Sequence, residues 1–152
     1  MRAACRPGGH GLAALERAYA TGGAVGTYTL QAAIAACHAR ARVAEDTDWV
    51  SIVAIYDGLA QIAPSPVVEL NRAVAVGMAF GPAQALRLVD DLADEPALSD
   101  YHLLPTVRGD LLEKLGRLAD ARAEFERALT LTRNARERSV LLGRIANCSA
   151  RL

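Results

Sequence analysis

Residues 109–128 read GDLLEKLGRLADARAEFERA, and this stretch decides the fold. Small residues stand at Gly109, Gly116, Ala121 and Ala128, with the large Leu112 and Phe125 between them. Two helices packed face to face need that alternation: small side chains let the backbones approach, and large ones fill the gaps left over. The stretch therefore predicts a helix over about 101–115, a turn at Gly116 and a partner helix over about 119–131.

The same reading extends in both directions. Downstream, Asn134 suits the N-cap of a last helix whose apolar side is Val140, Leu141, Ile145 and Leu152. Arg136, Glu137 and Arg144 form its expected polar outer face. Upstream, Gly81-Pro82 makes a tight turn between a helix over about 66–80, with Val67, Leu70, Val74 and Gly77 in register, and one over about 82–92, with Leu86 and Val89 inward. Residues 93–100 (ADEPALSD) read as an acidic loop. Pro64-Ser65-Pro66 stops the preceding helix, and Ser65 followed by Pro66 reads as an N-cap with proline at the first helical position. Trp49, Ile52, Val53 and Tyr56 stand at i, i+3, i+4 and i+7, an amphipathic helical signature. Asp46 or Thr47 is expected to cap that helix, with Asp48 in its first turn. Two further helices are expected over about 10–20 and 27–44, the second with Leu30, Ile34, Cys37 and Ala41 along a stripe. Met1 to Gly9 is expected to be a flexible lead-in or the cut edge of a longer protein.

Composition agrees with an all-α fold. Of 152 residues 52% are hydrophobic but only 5% aromatic, so the core is built from Ala, Leu, Val and Ile. Alanine and leucine are strong helix formers. The formal net charge is zero. A duplex-binding surface needs a clustered basic excess, so direct nucleic-acid binding by this segment is not expected. Cys5, Cys37 and Cys148 are widely spaced with no CxxC, which points to a reduced, cytoplasmic protein. No apolar run approaches a membrane span, and the N-terminus lacks the apolar core of a signal peptide.

Gly81 and Gly116 lie 35 residues apart, each at the turn between two expected helices. A tetratricopeptide (TPR) repeat has a period of about 34, and residues 109–128 resemble its helical hairpin. The resemblance implies a right-handed stack of about eight antiparallel helices over residues 10–152, with a polar capping helix at its end. Behind Gly116 the pattern is close. Behind Gly81 it is degenerate, because Ala85 falls one residue early. The start of another repeat is visible around Trp49, but Pro64-Ser65-Pro66 departs from it.

Chemistry is sparse. There is no phosphate-cradling glycine loop and no nucleophile elbow. Cys37 and His38 are adjacent on a helix, about 100° apart, and do not chelate together. The carboxylate pairs Asp90-Asp91, Asp94-Glu95 and Asp46/Asp48 lie near helix ends, where solvation and capping account for them. No catalytic residue, cofactor or metal site is expected. Two segments are odder. Asn71 and Arg72 place an amide and a guanidinium in an otherwise apolar helix. Tyr101, His102 and Arg108 put polar donors at the start of a helix that would line the inner face of a TPR-like groove. They serve either as hydrogen bonds that fix the stack or as contacts to a peptide or carboxylate.

Six segments occur in order: YTLQAAIAACH from Tyr28 to His38, EDTDW from Glu45 to Trp49, IYD from Ile55 to Asp57, APSPVV from Ala63 to Val68, LNRAVAV from Leu70 to Val76 and YHLLP from Tyr101 to Pro105. Together they resemble the TPR-like C-terminal extension of a group of bacterial extracytoplasmic-function RNA polymerase sigma factors. The resemblance covers nearly all of residues 10–150. It implies a regulatory, non-enzymatic module that contacts the sigma-factor N-terminal domains or RNA polymerase. The promoter- and polymerase-binding sigma domains precede such an extension and are not in this sequence. Two other readings stand beside it. One is a free-standing TPR-like adaptor; the other is a small-ligand sensor or enzyme built on Asn71, Arg72, His102 and Arg108.

Overall fold

The computed structural model describes residues 30–35, 37 and 47–152, and every regular element among them is helical. The protein is all-α. The chain divides into two compact units, Met1–Ala79 and Phe80–Leu152. The helix expected over 10–20, the lead-in before it, and Ala41, His38 and Asp46 lie outside the described residues. Residues 30–35 and 37 are helical, and Leu30, Ile34 and Cys37 of the expected stripe are buried.

In the first unit, Asp48 opens α1 (Trp49–Ile62). Its carboxylate accepts the Ser51 N–H at 3.1 Å and the Ser51 hydroxyl at 2.8 Å. The cap is thus Asp48, not Asp46 or Thr47, because the first turn begins at Trp49. Ile52 and Val53 are buried as expected, together with Ile55 and Leu59, while Trp49 and Tyr56 are half-buried. Burial raises the Tyr56 pKa above its ordinary value. The Ser65 hydroxyl accepts the Val68 N–H at 3.5 Å and so starts α2 (Pro66–Phe80). The buried stripe of α2 differs from the expected one: Leu70, Ala73, Ala75 and Val76 face in, and Val67 and Val74 face solvent. Because α2 is apolar on nearly every side, its periodicity selects no single inner face.

The second unit holds α3 (Pro82–Asp91), a 3-10 turn (Pro96–Leu98), α4 (Leu103–Lys114), α5 (Leu118–Leu131) and α6 (Ala135–Ala150). Consecutive helices pack on one another, α4 on α5 most extensively, then α6 on α5 and α3 on α4. The loop over 93–100 is more ordered than its composition indicates. The Glu95 carboxylate caps the 3-10 turn by accepting the Ala97 N–H, and Leu98 beneath it is buried. That turn delays α4, which begins at Leu103 and not at Tyr101.

The α4–α5 hairpin has the geometry its small and large residues require. At the turn, Gly116 adopts φ +79°. Its N–H donates to the Glu113 carbonyl at 3.0 Å and the Arg117 N–H to the Leu112 carbonyl at 2.9 Å. These two bonds form a Schellman cap, whose left-handed residue favours glycine. Leu112, Ala121, Phe125 and Ala128 are fully buried. A β-carbon on Gly109 would lie 2.7 Å from Phe125 Cε1, so the bare backbone of α4 is what admits the ring. On α3, Ala85 and Val89 are also fully buried. They stand four residues apart, as Ala121 and Phe125 do on α5, with a smaller side chain in place of the ring.

Candidate functional site

An open groove of about 270 Å³ lies between the start of α4 and the first half of α6, lined by His102, Leu103, Thr106, Arg136, Glu137, Val140 and Leu141. Its walls are mainly apolar. Leu103 and Val140 are 37% and 59% exposed, so the groove presents uncovered hydrophobic surface to solvent.

Local bonding at both helix starts shapes this groove. His102 precedes α4 without using its side chain as a cap, which leaves the imidazole free to reach α6. Opposite, the Asn134 carboxamide oxygen accepts the N–H groups of Arg136 and Glu137 at 3.0 and 3.1 Å, the expected N-cap of α6. The Glu137 side chain does not reach back to the Asn134 N–H, as a capping box would have it. The Thr132 hydroxyl takes that N–H at 3.3 Å and donates its own proton to Glu137 Oε2 at 2.6 Å. His102 Nε2, shielded from water, lies 3.1 Å from the same carboxylate oxygen without hydrogen-bond alignment. The Tyr101 ring meets the imidazole edge-on, with centroids 6.1 Å apart. Arg138 donates to the carbonyls of Leu129 and Thr132, which fixes the α5–α6 connection.

The other singled-out residues serve different ends. Arg108 donates to Asp90 on α3 at 2.9 Å and to Glu124 on α5 at 2.7 Å, so it ties three helices together. Its hydrogen bond to Asp90 and the nearby Glu124 charge raise its pKa against the opposing effect of burial. Asp90 is therefore an ion-pair partner and not merely a solvated helix end. In the first unit, Arg72 pairs with Asp57 of α1 and with Glu69 one turn away. Asn71 is exposed on α2. Of the five expected contacts, only His102 lines the groove; Tyr101 touches its ring from outside, Asn71 is exposed, and Arg72 and Arg108 are committed to ion pairs.

Sequence reasoning missed Arg144. Expected on the outer face of α6, it lies over the Phe125 ring at 4.7 Å and donates to Asp110 at 2.8 Å and Glu113 at 2.6 Å. Glu113, largely buried, also accepts from Asn147 and Arg151. Burial disfavours the charge on Asp110, but hydrogen bonds and positive charge from Arg144 and Lys114 outweigh it and hold its pKa below the usual 3.8. The apolar side of α6 is correspondingly narrower than expected: Leu141 and Cys148 are buried, Ile145 is half-buried, and Val140 and Leu152 face solvent.

Chemically, the groove offers an apolar bed with a basic side chain, Arg136, on its rim. The Thr106 hydroxyl is occupied, donating to the His102 carbonyl at 2.8 Å. Among the described residues no group of three or more His, Cys, Asp or Glu side chains gathers as a metal site would need. No helix among them is long and apolar enough to cross a membrane.

The groove and its helical frame define an all-α protein with an uncovered apolar face among the described residues. Over 112 residues, 74% of its length, the chain is 50% identical to an uncharacterized protein of Rhizobium meliloti (strain 1021). The match covers 26% of that relative, so the chain spans about a quarter of its length. No family model matches the chain, and no solved structure matches it.

Proposed function

We propose that this chain is the TPR-like regulatory segment of a bacterial extracytoplasmic-function sigma factor, acting in the cytoplasm by binding protein and not by turnover. The apolar α4–α6 groove carries the binding part of this reading. Exposed Leu103 and Val140 offer an apolar contact, and His102 lines one end. In a TPR-like stack, α4 and α6 are the first helices of successive hairpins, and such first helices line the inner face of the array. A right-handed array of about eight helices remains the expectation, counting those expected before α1. The sigma-factor part rests on the ordered motifs from Tyr28 to Pro105. It is also consistent with the relative's length: 112 residues at 26% of it make that protein about 430 residues long, room enough for separate sigma domains. The partner is then the sigma core or the polymerase, and contact with the groove shifts the core between held and released populations.

Co-expression of this chain with the two sigma domains of its parent protein tests the reading. The wild-type chain co-purifies with them. Val140→Glu abolishes the complex, because the new carboxylate lies on the apolar bed, and leaves the fold intact at a site already exposed. A Val140→Glu chain that binds as tightly as wild type removes the groove from the mechanism. A wild-type chain that binds neither the sigma domains nor polymerase at micromolar concentration, with transcription unchanged on its deletion, removes the sigma-factor reading and leaves an adaptor for another protein.

A further inference from the structure

The groove between α4 and α6 carries a charge preference as well as an apolar bed. Most of the polar side chains that line it are already engaged. The Thr106 hydroxyl donates to the His102 carbonyl at 2.8 Å. Glu137 Oε2 accepts the Thr132 hydroxyl at 2.6 Å and lies 3.1 Å from His102 Nε2. Arg136 is different: among the described residues its guanidinium meets no hydrogen-bond or ion-pair partner. It offers N–H donors and no acceptor. The stretch around it is positive too, with Arg133, Arg136 and Arg138 set against the single carboxylate of Glu137. Arg136 is also the second residue of α6, where the positive end of the helix dipole disfavours a cation. The residues three and four positions away, Thr132, Arg133, Ser139 and Val140, include no carboxylate to offset it.

We propose that the groove takes an amphipathic α-helix of a partner protein, with a carboxylate of that helix on Arg136 and its aliphatic side chains on Leu103, Val140 and Leu141. The inference rests on reading the groove as a protein-binding site, and not on the sigma-factor identity. Charge selects the acidic residue. A guanidinium fork matches a carboxylate with parallel N–H bonds, whereas a partner lysine would meet a like charge. Size selects a protein. At about 270 Å³ and open to solvent, the groove is smaller than the sites of roughly 300–1,000 Å³ that enclose whole small molecules. It fits side chains that project from a larger partner.

The walls select a helix. Strand addition needs an open sheet edge, and the described residues hold no strand. Polyproline recognition needs an aromatic-lined groove, and no Phe, Tyr or Trp lines this one. A helix laid between two helices is the remaining mode. Arg136 and Val140 stand four residues apart on α6, about 6 Å along its axis. The partner helix therefore carries its carboxylate one turn from its nearest aliphatic residue.

Fluorescence polarisation of labelled peptides against the whole chain tests the proposal. Three helical peptides of about 16 residues share a pair of leucines one turn apart. They differ at one position a turn further on, which holds Glu, Gln or Lys. The Glu peptide binds the wild-type chain best, the Gln peptide about two- to fivefold more weakly, and the Lys peptide more weakly again. High salt narrows these differences. Arg136→Glu reverses the order, so that the Lys peptide binds best. That variant keeps its fold, because a glutamate suits the first turn of α6, and circular dichroism checks it. Val140→Glu removes binding of the Glu peptide and so locates it at the groove. Equal binding of the three peptides to the wild-type chain overturns the charge assignment and leaves the groove as an apolar binding site. An order that Arg136→Glu does not alter overturns it as well, by placing the acidic contact elsewhere. Binding of none of the peptides, or binding that Val140→Glu leaves intact, removes the groove reading and this proposal with it.

Discussion

Replacing Gly109 with alanine tests the packing that organises the α4–α5 hairpin. The added β-carbon would lie 2.7 and 2.8 Å from Phe125 Cε1 and Cδ1, and 3.1 Å from Cζ. Carbon atoms at rest stand about 3.5–4.0 Å apart, so the ring or the helix must move by about 1 Å. The ring has little freedom to yield. It is fully buried, and Arg144 covers one face while tied to Asp110 and Glu113. Overpacking of a closed core costs roughly 1–3 kcal/mol. Against this, alanine is a better helix residue than glycine by about 0.5–1 kcal/mol. The pinned ring puts the clash in the upper part of its range, and the net loss is about 1–2 kcal/mol. Urea unfolding with two-state analysis measures it, and the melting temperature falls by about 2–8 °C. Shrinking the ring must undo the effect: in a Phe125→Leu background, Gly109→Ala becomes neutral or stabilising, a coupling of about 1–2 kcal/mol. A Gly109→Ala chain more stable than wild type by the ordinary helix-propensity gain would show that the ring does not need this gap. An unchanged penalty in the Phe125→Leu background would locate the strain elsewhere.

Arg144→Met removes the cation over Phe125 and leaves the largely buried Glu113 with weaker partners, and chemical denaturation should show a loss of roughly 1–3 kcal/mol. A neutral result would mean that the network is solvated and contributes nothing. Asp110 makes the acid limb of stability steeper. Its folded pKa lies below 3.8, so as pH falls the unfolded chain takes up the proton first. Its contribution is complete above the ordinary carboxylate range and disappears as pH falls through the folded value. Asp110→Asn therefore flattens the denaturation profile below about pH 4, and an unaltered slope would contradict the depressed pKa.

Much of the helical layout was legible because its signals are local. A cap needs a side chain within three residues, as Asn134 shows for Arg136 and Glu137. A helix stop needs one left-handed residue, as Gly116 provides. The alternation from Gly109 to Ala128 places its own partners, because a short turn leaves the second helix little choice but to fold back on the first. Where two local signals competed, the sequence chose less well. Asp46, Thr47 and Asp48 are all capping types, and the register of the first turn selects Asp48. For α2, apolar residues on most sides left the inner face open, and only packing turned Val67 and Val74 outward.

The candidate site was legible in part. Tyr101 and His102 stood out as polar residues at a helix start, and His102 does line the groove. The opposite wall could not be read, because Arg136, Glu137 and Val140 are more than thirty residues away in the chain. Arg108 and Arg72 looked available for a ligand, but their partners on other helices lie 15–18 residues distant, and ion pairing between helices is invisible to periodicity.

By itself, then, the sequence determined most of the described helices, the Ser65 and Asn134 caps and the Gly116 turn, since each depends on backbone groups within a few residues. Tertiary structure alone decided which polar side chains are bound and which surfaces stay open. Arg144 reads as an outer-face arginine until Asp110 and Glu113, 34 and 31 residues earlier, are brought beneath it. Asn71 reads as an oddity until the burial of Ala73 and Val76 turns it to the exposed side of α2. The energy of a charge or an amide is set by what surrounds it in space, and that neighbourhood exists only once the helices have packed.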